Sequence, residues 1–199
     1  MLNIAVMVSG GGTNLQALID AQNNGIIRDG KITLVVSSSP TAYALTRAEE
    51  NGIEGLVCND EEELVRIMEE HQISLIVLAG YMTILSENFV KRYPERIINV
   101  HPALIPSFCG QGMYGIRPHQ AVLEKGVKVS GATVHFVNEH YDEGPIILQK
   151  AVDVLPDDTP ETLQKRIMVE CEQVILPKAI QLIADGKIEV VNNLVRVKP

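Results

Sequence analysis

Leu2-Asn3-Ile4-Ala5-Val6-Met7-Val8, followed directly by Ser9-Gly10-Gly11-Gly12-Thr13-Asn14-Leu15, is the stretch whose reading decides the fold. The first part is a short, nearly continuous apolar run, as a strand buried on both faces requires. Three glycines break it, and Thr13-Asn14 open a helical pattern with Leu15, Leu18 and Ile19 on one face. A strand, a glycine turn and a helix in that order form the opening unit of an α/β sheet. Glycines let a backbone approach a ligand closely, and free N–H groups at a helix start suit a phosphate. A dinucleotide fingerprint would need a third spaced glycine where Leu15 stands, and the nucleoside triphosphate loop would need Gly-Lys-Ser/Thr. A terminal monophosphate is the better match. The plainer alternative is a tight turn with a capped helix.

The same rhythm continues outward. Strands are expected at 32–36, 53–57, 73–79 and 97–100, with helices at 40–51, 61–71 and 86–92 between them. Asp60 is placed to cap the helix at 61–71, and Gly52 to end the one before it. This alternation implies a twisted parallel sheet with right-handed crossovers. Beyond Pro102 the pattern changes. Residues 103–118 hold Gly110, Gly112, Gly115, Pro106 and Pro118 among Phe108, Met113 and Tyr114, a loop long enough to suggest a function. A helix at 119–125 and a strand at 132–137 follow, the latter with Thr133 and His135 on one face. A turn at 139–144 leads into a second strand at 146–154, antiparallel to its predecessor. Thr159-Pro160-Glu161 starts a helix expected to run unbroken to Asp185-Gly186, and 189–197 reads as a terminal hairpin turning at Asn192-Asn193. The expected fold is therefore a three-layer α/β sandwich, its sheet mostly parallel with an antiparallel C-terminal part.

At 199 residues the chain fits one domain spanning 1–199. Seventeen basic against 25 acidic residues give a formal charge of −8, a poor footprint for a nucleic-acid binder. No apolar run reaches membrane-spanning length, and the start lacks the basic n-region of a secretion signal. Cys58, Cys109 and Cys171 are odd in number and far apart, which suggests a reducing cytoplasm. The expected partners are small molecules, with the chain acting as a monomer or homodimer.

Candidate chemistry gathers at the end of the strand 97–100. Asn99 and His101 share a face by alternation, Pro102 ends the ladder, and ligands in open α/β sheets bind at such carboxyl ends. Asn donates a neutral hydrogen bond, His holds or releases a proton near neutral pH, and a later Asp142 could orient that imidazole. Such a set stabilises a tetrahedral oxyanion and moves a proton without covalent attack. Taken singly, His101 could be a strand-end histidine satisfied by backbone, and Asp142 a turn residue. A metal set of His135, His140 and Asp142 lacks a tight ligand pair. Ser107 and Cys109 lack a nucleophile elbow. Glu172 reads by default as a solvated surface acid.

The chain resembles the phosphoribosylglycinamide formyltransferases, folate-dependent enzymes of purine synthesis. The resemblance rests on Ser9 to Gln16, on Leu78-Ala79-Gly80-Tyr81-Met82 with Ile84-Leu85-Ser86, on Asn99 to Pro106, on Gly131 to Val137, and on Asp142 to Gln149. It implies formyl transfer from 10-formyltetrahydrofolate, as co-substrate and without a metal, to the amine of glycinamide ribonucleotide. By motif position it makes Asn99, His101 and Asp142 catalytic, with His101 protonated and its charge favoured by Asp142. Gly12, Thr13 and Asn14 would hold the ribonucleotide phosphate by backbone N–H, and Glu172 would lie near the ribose and amine. Met82, Thr83, Ile84, Leu85, Val137, Glu139 and Tyr141 would line the folate pocket, with Thr133 and His135 in support. Thr83 stands where the family often has Arg, and the loop from Cys109 to Pro118 is longer than in animal members. A formyltetrahydrofolate hydrolase, with water in place of the amine, and a non-catalytic phosphate- or folate-binding module are the alternatives.

Overall fold

Along β1 (Leu2–Val8) successive side chains go to opposite sides, so Ile4, Val6 and Val8 enter one apolar cluster and Ala5 and Met7 another. A strand buried on both faces needs a covering layer on each side. The computed structural model, which describes residues 1–198, shows both layers. α1 (Thr13–Asn23) and α2 (Tyr43–Glu50) cover one face, and α3 (Glu61–Glu70) and α4 (Glu87–Arg92) cover the other.

With β2 (Gly30–Ser37), β3 (Glu54–Val57), β4 (Leu75–Leu78) and β5 (Ile97–His101), β1 forms a parallel sheet. β6 (Val129–Phe136) and β7 (Ile146–Asp153) then add antiparallel strands, giving the order β3-β2-β1-β4-β5-β6-β7. The chain leaves β1 toward β2 on one side, and the sheet is later extended from β4 on the other. The carboxyl ends of β1 and β4 therefore flank the topological switch point. α5 (Arg117–Lys125), α6 (Pro160–Ile167) and α7 (Gln173–Ala184) complete the β1 Ile4 side, and β8 (Ile188–Val191) pairs with β9 (Leu194–Val197) in a separate hairpin.

The expected architecture is therefore the observed one, with local differences. α2 begins at Tyr43, three residues later than expected, and α5 begins at Arg117 with Pro118 in its first turn. β6 begins at Val129 because its outer residues Val129 to Gly131 pair with Ala151 to Asp153 of β7. The helix expected to run unbroken from Thr159 is not regular. A capping box between Thr159 and Thr162 starts it, but Met168–Glu172 forms a π turn between α6 and α7. In a regular α-helix residues five apart differ by about 140° around the axis, whereas a π turn brings them into line. Ile167 and Glu172 are accordingly both buried. No helix among the described residues is long and apolar enough to cross a membrane.

Candidate active site

The glycine turn is clamped to its surroundings by its carbonyls. Ala44 N–H donates to Gly10 O at 3.1 Å, and Arg47 Nε–H donates to Gly11 O at 2.8 Å. Gly12 has a left-handed φ of 70°, and a Cβ there would lie 2.7 Å from Ala44 Cβ, so only glycine fits. Among the described residues no protein acceptor takes the N–H of Gly11, Gly12 or Thr13. The turn after β4 lies against this loop, with Ser9 N–H donating to Gly80 O and Met82 N–H donating to Ser9 Oγ.

Asn14 is buried, and its side-chain amide donates to Glu172 Oε2 at 2.7 Å. Glu172 is thus not the solvated surface acid of the default reading. The π turn carries it inward to the first turn of α1, where burial raises its pKa more than the Asn14 hydrogen bond lowers it. Thr13 Oγ1 donates to Met168 Sδ in the same corner.

The second cluster is built from facing strands. In the β5–β6 ladder Asn99 pairs with His135 and His101 with Thr133, which puts all four side chains on one face. Asp142 arrives from the turn after β6 with a φ of 55°, a left-handed conformation that Asp tolerates better than most residues. Its carboxylate reaches both imidazoles: Oδ2 lies 3.6 Å from His101 Nδ1, and Oδ1 lies 3.5 Å from His135 Nε2. Asn99 Nδ2 is 3.3 Å from that same His135 nitrogen. Thr133 is fully buried and holds the backbone after β5, donating to Ala103 O and accepting from Ile105 N–H. The residues expected at the reacting centre are thus brought together.

The long loop supplies two groups that sequence reasoning missed. Phe108 O accepts from His101 Nε2–H at 2.9 Å, and Gly110 N–H donates to Asp142 Oδ2 at 2.9 Å. Both are backbone atoms, so no side-chain motif announces them. The density of glycines in the loop was the one available signal.

Burial lowers the His101 pKa, opposed by Asp142 and by the Phe108 carbonyl. Its Nε2–H is held by Phe108 O, and its Nδ1 faces Asp142. Burial would raise Asp142, but His135, His101 and the Gly110 N–H together hold its carboxyl below the usual range. His119 on α5 is fully buried with both ring nitrogens unpartnered, and burial, reinforced by His101, pushes its pKa down to about 4.

The residues expected around a folate divide. Leu85 and Val137 pack on the same apolar cluster, while Met82, Thr83 and Ile84 stand exposed on the turn after β4. Glu139 is exposed. Tyr141 lines a cavity of about 600 Å³ together with Asp142, Pro106, Cys109, Ile146 and residues 193–195. Among the described residues no three His, Cys, Asp or Glu side chains are grouped to hold a metal ion.

Residues 2–180 match the family described as Formyl transferase. The solved structure of glycinamide ribonucleotide transformylase 1 from Symbiobacterium toebii superposes with a TM-score of 0.93 at 39% identity, covering 100% of this chain and 95% of that one. The chain belongs to the phosphoribosylglycinamide formyltransferase family. Among its formyltransferase relatives, the chloroplastic phosphoribosylglycinamide formyltransferase of Arabidopsis thaliana is 38% identical over 94% of this chain. The trifunctional purine biosynthetic protein adenosine-3 of Gallus gallus is 42% identical over 95% of it. The chain spans 66% of the plant protein's length and 19% of the avian one's.

Proposed function

We propose that this chain transfers the formyl group of 10-formyltetrahydrofolate to the amine of glycinamide ribonucleotide, by direct attack through a tetrahedral intermediate. One observation carries the reading: a single carboxylate, Asp142, touches two imidazoles and lies in the cluster that includes the Asn99 amide, on a sheet whose switch point also carries a cradle of free N–H groups. β1 and β5 are separated only by β4, about 10 Å across the sheet, which suits a ribose 5-phosphate whose amine arm extends to the reacting centre.

In this reading Gly12, Thr13 and Asn14 offer backbone N–H groups to the phosphate, and Glu172 accepts from ribose hydroxyls. The flat folate ring covers the apolar side chains of Met82, Ile84, Leu85 and Val137, with Thr83, Glu139 and Tyr141 toward the rim. The amine attacks the formyl carbon, a C–N bond forms, and the carbonyl electron pair moves onto oxygen. Asn99 Nδ2 donates to that oxygen, an interaction worth about 3 kcal/mol in the barrier. Asp142 stabilises the imidazolium form of His101 against the charge that develops on the oxygen. A water held by Asp142 takes one proton from the attacking amine and passes it to the departing folate nitrogen as the bond from that nitrogen to the formyl carbon breaks. His135 orients Asp142 and Asn99, and Thr133 fixes the backbone behind them. Holding amine and donor together supplies much of the remaining acceleration.

Residues 1–199 act as one catalytic domain in this reading, and the free thiols Cys58, Cys109 and Cys171 suit the cytoplasm. The test is purified protein with the formyl donor, with and without glycinamide ribonucleotide, following folate release. Release that depends on the ribonucleotide supports the reading. Release without it marks a hydrolase, and no release in either arm marks a binding module.

A further inference from the structure

We propose that Arg47, on α2, is a positioning residue of the phosphate cradle and supplies its positive charge. The inference rests on the phosphate reading of the glycine turn and names what holds that turn in its binding form. The C=O and N–H of a trans peptide point in opposite directions. With Gly10 O fixed on the Ala44 N–H, the Gly11 N–H must face away from α2. With Gly11 O fixed on Arg47 Nε–H at 2.8 Å, the Gly12 N–H must face the same way. Two anchored carbonyls thus aim two successive amides outward to one side, and only one of the anchors is a side chain.

The guanidinium is itself well held. Nη1 donates to Gln16 Oε1 at 3.1 Å, and the charge stacks over the Tyr43 ring at 5.0 Å. Its stem passes so close to the turn that a Cβ on Gly12 would lie 3.3 Å from Arg47 Cδ. No hydrogen bond uses Nη2, and among the described residues Arg47 has no carboxylate partner. An unneutralised cation therefore stands behind the turn that bears the free amides, on a chain of formal charge −8 where a phosphate dianion otherwise meets repulsion. Nearby Glu172 is a buried acid and cannot serve as that counter-charge.

Arg47→Met keeps the stem and removes both the charge and the Gly11 anchor. Isothermal titration with inorganic phosphate should show Kd rising about ten- to a hundredfold, the range set by losing the charge-assisted hydrogen bond to Gly11 O. The ribonucleotide KM should rise in parallel, while the folate KM, kcat at saturation and Tm stay near wild type. Unchanged phosphate affinity in the variant overturns the inference and leaves formyl transfer standing. A proportional loss of folate KM, kcat and Tm also overturns it, since that is the signature of a merely structural arginine. Wild-type protein that neither binds phosphate nor turns over with the ribonucleotide overturns the phosphate reading itself.

Discussion

The parallel and antiparallel halves of the sheet build their shares of the site from different material. At the end of β1 the working groups are main-chain N–H bonds, aimed by carbonyls that α2 and Arg47 hold from behind. Between β5 and β6 they are side chains, set by cross-strand pairing and by one carboxylate arriving from a turn. The first kind of site is damaged by adding an atom, the second by removing one. The first has a single buried acid, Glu172, at its edge, whereas the second is a coupled set of acids and bases.

The comparison is broken most severely at Asp142. Asp142→Asn keeps the shape but removes the charge that both imidazoles face, and kcat should fall about 10³-fold with little change in ribonucleotide KM. Steady-state kinetics with each substrate varied in turn will check this, and near-wild-type turnover would remove Asp142 from the mechanism. Asn99→Ala should cost about 10²- to 10³-fold in kcat, again with binding spared. A loss confined to KM would move Asn99 from the reacting oxygen to substrate binding.

His119 sharpens the contrast through pH. Its folded pKa is about 4 against an unfolded value near 6.5, so the unfolded chain binds the extra proton between those limits. Stability should therefore fall as pH drops from about 6.5 to about 4, by on the order of 3 kcal/mol from this residue alone. His119→Phe also removes two unpartnered buried nitrogens and should flatten that part of the profile. Denaturant melts across this pH range measure the difference, and superimposable profiles would show that His119 does not carry the linkage. On the other side, Gly12→Ala adds one methyl against Ala44 at a φ of 70°. The ribonucleotide KM should rise about tenfold or more while the folate KM holds, because the N–H groups are turned and the side-chain cluster is untouched. Equal losses in both KM values would show that the two regions are not separable.

This division also explains what the sequence could tell. The Gly10-Gly11-Gly12 run marks a backbone-built cradle because only glycine tolerates the geometry, and Asn99 and His101 betray themselves as polar residues ending an apolar strand. Asp142 could be named as a possible partner of His101 but by itself read equally as a turn residue, since its placement depends on the antiparallel turn after β6. Arg47, Phe108 and Gly110 were silent, because each acts on or through backbone atoms with no fixed sequence spacing. The default reading of Glu172 as a solvated acid could not foresee the π turn at Met168–Glu172, and its burial beside Asn14 was legible only through the resemblance. The downward pull on the His101 pKa depends on how deeply the ring is buried, which no local pattern reports.

The two contacts from the long loop carry a practical warning. Phe108 and Gly110 meet His101 and Asp142 through a carbonyl and an amide alone, so truncating side chains one at a time would leave both contacts chemically in place. A conventional scan would therefore report the packing of Phe108 and the positive φ of Gly110 rather than these two contacts. Backbone ester substitution at Gly110, which deletes the N–H while keeping every side chain, would expose how strongly catalysis depends on the main chain there.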